Sequence, residues 1–434
     1  MFTPGRYIVI DDEADQLQML IEALHGLGAP CVGVHYTGHE LDPTIFAGVR
    51  LLFCDLNLLP GGSPGHQQYG IVQSLLETYV NPAVGGPYVL ILWTKHEEEL
   101  VQVRAFLEAR LPSEKKPLAV LALDKTLYIV DGKLTNTEGL KTEIRERISE
   151  SPQLRALMSW EADVLTAAGT TLAEIAQLAR LGDEADGLGA KLDGVLSRLA
   201  VAAVGTQNVE RDRRGAINAA LAPILADRIM NAPTRPENQE VWTVAITRQS
   251  HLPDIDNEQT GRINRLLHLS VPPAEQINAT DWGAVLLLPE EERIEAAMLA
   301  RFGVKYPELL SQVFHVERED RSRCTPVLVR IGAVCDYAQR RLGPILYVLG
   351  LLVPAEIKRK DQPPPKAELE SPVFVIDTAH GPVRLYSNAR FQISMVQPPL
   401  EWTPLFRIRE QALMLIAAHV AEYVTRPGMV KLPQ

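Results

Sequence analysis

Three carboxylates in this sequence stand where chemistry is commonly done. Asp11 and Asp12 follow the apolar run Tyr7-Ile8-Val9-Ile10, and Asp55 follows a second run, Leu51-Leu52-Phe53-Cys54. Short apolar runs of this kind read as buried parallel strands. Ligands of an open α/β sheet bind outside the carboxyl ends of its strands. Aspartates at neighbouring strand tips therefore make a site for Mg²⁺, which takes one or two carboxylates and completes its shell with water and phosphate oxygens. Two further runs end in complementary groups: Tyr88 to Trp93 leads to Thr94, and Leu118 to Leu123 leads through Asp124 to Lys125. A hydroxyl and an ammonium would then face the metal site. Asp11, Asp12, Glu13 and Asp15 would also suit the positive end of a following helix whatever the function, but helix capping does not ask for matching groups on three more strand ends.

Asp11, Asp12, Asp55, Thr94 and Lys125, in this order on four strand ends, resemble the receiver domain of two-component response regulators. The resemblance covers about residues 5–140 and implies an α/β fold, a doubly wound five-stranded parallel domain of flavodoxin-like type. It also implies a Mg²⁺ site built from Asp11, Asp12, Asp55 and Asn57, with Asp55 phosphorylated by a histidine kinase or a phosphotransfer protein. Thr94 would hydrogen-bond the phosphoryl group and Lys125 would pair with it. The chemistry agrees, because a metal ion, an ammonium and a hydroxyl together neutralise the three equatorial oxygens of a transferring phosphoryl group.

The sequence departs from that family in several places. Lys95 stands where a small residue usually follows the Thr, and Thr126 where a proline usually follows the Lys, so Lys95 is expected to narrow access. Ala122 occupies the position three before the Lys, where the family often has a switching aromatic. The loop Leu56 to Gly65 is long and glycine-rich, and its backbone could be remodelled around a partner. Output must therefore travel by another route.

The elements that hold these groups belong to a chain of 434 residues, long enough for two or three domains. Its 46% hydrophobic and 22% charged residues are ordinary for a globular protein. With 54 acidic against 43 basic residues the net charge is −11, which argues against a general binder of nucleic acid or anionic membranes. The first residues enter an apolar run with no basic segment ahead of a long apolar stretch, so a cytoplasmic location is expected. The stretch Ile345 to Val353 is far below the roughly 20 residues a membrane span needs. Cys31, Cys54, Cys324 and Cys335 show no CxxC spacing and fit reduced thiols.

Residues 1–140 form the expected receiver, 141–230 a helical connector, and 241–434 an α+β output or partner-binding domain. The connector carries leucines and alanines at helical spacing (Leu154, Leu157, Met158, Leu165, then Leu172, Ile175, Ala179, then Leu188, Leu192, Leu196), with a turn at Asp183 to Gly189. Such helices pack within one chain or pair with a second copy, and a homodimer is one outcome of this pattern. No histidine occurs between His96 and His251, so the connector is not a phosphohistidine donor. The chain lacks GxxxxGK[ST], which disfavours a P-loop ATPase or GTPase. In the last part Val241 to Ile246, Val327 to Ile331, Ile345 to Val353, Phe374 to Ile376 and Arg384 to Tyr386 read as strands. Leu405 to Val424 reads as a closing helix, and Asp361 to Lys366 as a stiff proline-rich loop.

His251, His268, His315, Cys324, Cys335 and Asp336 are of zinc-binding type, but their spacings match no finger or ribbon pattern, and separate buried thiols and surface imidazoles are the simpler expectation. Cys335 to Gln339 and Thr425 to Gly428 loosely resemble segments of bacterial receiver-like proteins of unknown output, including phage-defence phosphorelays. The expectation is a cytoplasmic signalling protein whose Asp55 phosphorylation changes its contacts with an effector protein, with enzyme character limited to its own phosphoryl transfer. Two alternatives stay open. One is a receiver-controlled enzyme using Cys335, Asp336 and His251, and the other is a phosphate sink or scaffold with a degenerate receiver.

Overall fold

The structure, a computed structural model, describes residues 6–58, 65–130, 133–181, 187–233, 236–248, 250–272, 276–338, 343–359, 366–377, 381–396, 398–399 and 402–425. The expected turn at 183–186, most of the proline-rich loop, part of the loop after Asp55, Gln339 and the segment Arg426 to Gly428 lie outside the described residues. The chain divides into two compact units, Met1–Glu174 with Ile224–His251, and Ile175–Pro223 with Leu252–Gln434.

The first unit holds five strands, β1 (Tyr7–Asp11), β2 (Cys31–His35), β3 (Leu51–Cys54), β4 (Val89–Thr94) and β5 (Ala119–Asp124). All pair in parallel, in the order β2-β1-β3-β4-β5. This is the doubly wound flavodoxin-like order. Because side chains alternate along a strand, each central strand feeds two cores. Ile8, Ile10, Leu52, Cys54, Leu90 and Leu92 face α2 (His66–Tyr79) and α3 (Leu100–Arg110). Val9, Leu51, Phe53, Val89, Ile91 and Trp93 face α1 (Ala14–Gly26) and α4 (Thr137–Ser149). Burial on both faces is why these strands read as unbroken apolar runs. Between β2 and β3 the crossover has a single 3₁₀ turn, Pro43–Phe46, capped by the Asp42 carboxylate on the Thr44 amide. A two-residue hairpin, Ile129–Val130 with Lys133–Leu134, precedes α4.

The next helix, α5 (Pro152–Arg180), is tied to the same sheet at its first turns. Leu154 is fully buried beside Val9, Leu20 and Leu24, and Met158 packs against that cluster. Glu161 takes the Arg50 guanidinium as a fork, at 3.0 and 3.2 Å, and Arg6 at 2.9 Å. Three larger apolar side chains of this helix stay in water, with Trp160, Leu165 and Leu172 each more than half exposed.

The second unit is built on a seven-stranded sheet in which every described pairing is antiparallel. Its strands are β6 (Leu269–Ser270), β7 (Ala284–Leu287), β8 (Thr325–Ile331), β9 (Ile345–Pro354), β10 (Glu368–Val375), β11 (Pro382–Met395) and β12 (Pro404–Ile408), in the order β10-β11-β9-β8-β7-β12-β6. One face is covered by the helix Glu410–Thr425 through Leu413, Ile416 and Val420. The other packs on Met298 and on Leu309, Leu310 and Phe314. The alternation of Val327 and Val329 with Leu328 across these two cores is what the sequence showed as strand.

Two elements differ from the expectation. Val241 to Ile246 is not a strand: Pro236–Ala245 is a helix, with proline at its first position, where a missing amide costs nothing. Val241 is buried, whereas Val244 one turn on and Ile246 just past the helix are exposed. The closing helix is also shorter than read from 405. Pro404–Ile408 instead lies between β7 and β6 as a strand, and the helix starts at Glu410.

Candidate metal and phosphoryl site

The five expected residues meet at the carboxyl ends of the parallel strands. Asp11 closes β1, Asp55 follows β3, Thr94 closes β4 and Lys125 follows β5. Parallel pairing in register brings these tips together, and Asp11, Asp55, Thr94 and Lys125 are all buried. One oxygen from each of Asp11, Asp12 and Asp55 lies within 4.8 Å of the others. The Lys125 ammonium sits against them, 2.7 Å from Asp55 Oδ2 and 3.4 Å from Asp11 Oδ2. Asp55 is anchored by its own amide, which donates to the Ile10 carbonyl at 2.9 Å, and its Oδ1 accepts from the Asn57 amide at 3.2 Å. Asp11 Oδ1 accepts from the Glu13 amide at 2.8 Å, so one oxygen starts α1 while the other faces Lys125. Thr94 Oγ1 accepts from the His96 amide at 3.1 Å, which fixes its hydroxyl at the turn.

Electrostatics single out the carboxylates. Burial pushes the Asp11 carboxyl up to about 6; the Lys125 ammonium opposes this, and the Asp55 charge adds to it. Burial, followed by the Asp55 charge, also raises Asp12. At Asp11 the Lys125 ammonium outweighs the Asp55 charge but not the cost of burial, which a divalent cation held by the carboxylates would offset. The donor set fits Mg²⁺: three carboxylates and the Asn57 Oδ1, which is buried without a hydrogen-bond partner among the described residues. All are hard oxygen ligands.

Lys95 does not close the site by pairing with its aspartates. Its ammonium reaches the Glu13 carboxylate at 3.8 Å, with both side chains about half exposed. Ala122 faces the α2/α3 core, where no aromatic side chain can rotate from that position. Sequence reasoning missed Gln16, a buried residue of α1 whose Oε1 accepts from the Lys125 ammonium at 2.8 Å. Its signal was a polar side chain in register with Leu20 and Ala23 on the inward face of an amphipathic helix.

Among the described residues, the zinc-type side chains of the C-terminal part do not assemble. Among the described residues, the group of metal-binding type is Asp11, Asp12 and Asp55. Cys324 is buried with its thiol against the Asp320 carbonyl, and His268 ends a helix, edge-on to Phe374. The Cys335 side chain lies outside the described residues.

No protein-family model matches the chain, and no curated protein matches it in sequence. Among solved structures, full-length FixJ from B. japonicum aligns over 56% of this chain and 98% of its own, at 15% identity and a TM-score of 0.20. The fold assignment rests on strand order: the first unit is a five-stranded parallel, flavodoxin-like domain with an acidic cluster at its strand tips. No helix among the described residues is long and apolar enough to cross a membrane.

Proposed function

We propose that this chain is a response-regulator-like signalling protein that accepts a phosphoryl group on Asp55 and thereby changes its contacts with partner proteins. The observation that carries this reading is the Asp55 carboxylate held 2.7 Å from the Lys125 ammonium, beside two further aspartates at adjoining strand tips. Asp11, Asp12, Asp55 and Asn57 would hold Mg²⁺, which supplies positive charge for the incoming phosphoryl oxygens. Asp55 attacks phosphorus with one carboxylate oxygen; a P–O bond forms as the donor's P–N bond breaks, and the leaving nitrogen takes a proton. Lys125 follows the negative charge from the carboxylate to the phosphoryl oxygens, and the Thr94 hydroxyl donates to one of them.

The donor in this reading is a histidine kinase or phosphotransfer protein, and the recipient of the signal is an effector protein. The exposed Trp160, Leu165 and Leu172 of α5 offer apolar surface for a second copy or for that effector. A bacterial defence phosphorelay is the setting that the loose C-terminal resemblance suggests. The test is Mg²⁺-dependent labelling by radioactive phosphoramidate or by a cognate kinase. Wild type takes up label and Asp55→Asn does not. A wild type that stays unlabelled with both donors would overturn the reading.

A further inference from the structure

Helix α1 buries Gln16, Leu17, Leu20, Ala23 and Leu24, and Gln16 is the polar member of that set. Both ends of its amide are engaged. Oε1 accepts from the Lys125 ammonium at 2.8 Å, and Nε2 donates to the Glu13 carboxylate. Glu13 in turn faces the Lys95 ammonium at 3.8 Å. A chain of polar groups thus runs from the half-exposed mouth of the site to its buried lysine.

An ammonium has three N–H donors. Those of Lys125 meet Asp55 Oδ2, Asp11 Oδ2 and Gln16 Oε1. Phosphorylation takes Asp55 from this set, and a cation bound by the aspartates would draw on Asp11. Asp55 becomes an acyl phosphate whose remaining carboxyl oxygen carries no charge. Gln16 is neutral, a poor rival for Mg²⁺ beside three carboxylates, and sits on a packed helix rather than a loop. It is the acceptor left to Lys125 once the phosphoryl group has arrived.

We infer that Gln16 is a positioning residue for phosphoryl transfer, holding one N–H of Lys125 so that the other two point at the phosphoryl oxygens. This rests on the proposal that Asp55 is the phosphoacceptor. Glu13 fixes the far end of the same amide, so removing its side chain weakens the effect while leaving the Gln16 bond to Lys125 in place.

The experiment times Mg²⁺-dependent labelling of the full chain by phosphoramidate in wild type, Gln16→Met, Lys125→Met and the double variant. Methionine keeps the length of the side chain and removes the acceptor. Losing one hydrogen bond to a charged group should slow labelling about ten-fold in Gln16→Met. Because Gln16 acts through Lys125, the double variant should be no slower than Lys125→Met alone. A general packing defect would instead add to the loss of the lysine. The same cycle, read as Mg²⁺-dependent fluoroberyllate protection against thermal unfolding, keeps the comparison measurable if Lys125→Met labels too slowly to time. Should Gln16→Met unfold, Glu13→Ala replaces it as the variant, with a slowing of about two- to three-fold expected because Glu13 reaches Lys125 only through the Gln16 amide. Wild-type rates in Gln16→Met, or additive losses in the cycle, overturn the inference while leaving Asp55 as acceptor. An unlabelled wild type removes both.

Discussion

Replacing Asp11 by Asn should stabilise the metal-free protein at neutral pH. The folded carboxyl of Asp11 titrates at about 6 against an ordinary 3.8, with burial the largest cause. Between these values the folded chain holds a proton that the unfolded chain has released. Stability therefore falls as pH rises through this window, and above pH 6 the full cost is present. A shift of about two units corresponds to about 3 kcal/mol. Asparagine keeps an oxygen for the Glu13 amide, and Lys125 keeps Asp55 and Gln16 as acceptors. At pH 7.5 in chelator the variant should gain up to about 3 kcal/mol, or roughly 6–12 °C in the melting of a unit this size. At pH 4 the gain should fall to about 0.5 kcal/mol. Added Mg²⁺ should raise the wild-type melting temperature through linkage and leave the variant nearly unmoved. Calorimetry across pH 4–8, with and without Mg²⁺, makes the comparison. A variant less stable than wild type at pH 7.5 without metal, or equally protected by Mg²⁺, would refute the reasoning.

Other perturbations probe the packing. Leu154→Ala opens a cavity between α5 and the sheet and should cost about 2–5 kcal/mol in urea unfolding of the first unit; a change below 1 kcal/mol would detach α5 from that core. Glu161→Gln leaves the Arg50 fork and Arg6 without their carboxylate and should cost about 1–2 kcal/mol, a loss that shrinks in high salt. In the second unit Arg330 is buried over the Tyr337 ring, with Nε and Nη1 lacking hydrogen-bond partners among the described residues, and burial lowers its pKa. Arg330→Met should therefore leave stability unchanged or raise it by about 1–3 kcal/mol. A clear destabilisation would show that this guanidinium is paired in solution.

The parallel domain was legible because each of its central strands is buried on both faces and ends in a residue of chemical consequence. Four apolar runs followed by Asp11, Asp55, Thr94 and Lys125 give both the sheet and the site at once. Gln16 was hidden because a polar residue in a first helical turn reads as surface or capping, and only the three-dimensional reach of Lys125 across the sheet gives it a partner. The C-terminal sheet was half legible. Val327 to Ile331 and Ile345 to Val353 are long enough to declare themselves, whereas Leu269–Ser270 and Ala284–Leu287 are strands only by virtue of neighbours distant in sequence. Pro404–Ile408 runs into an apolar helix with one residue between them, so no local signal separates the two. Val241 to Ile246 carries β-branched and aromatic residues, and the proline that opens the helix five residues earlier is the local signal for its helical outcome.

The central claim is that Asp55 is the residue that receives phosphate. Borohydride reduction tests it chemically, since an aspartyl phosphate is reduced to homoserine while a free carboxylate is untouched. After incubation with Mg²⁺ and phosphoramidate, followed by tritiated borohydride, peptide sequencing should place the tritium at position 55. Label absent there in wild type, or found equally with Asp55→Asn, would contradict the claim.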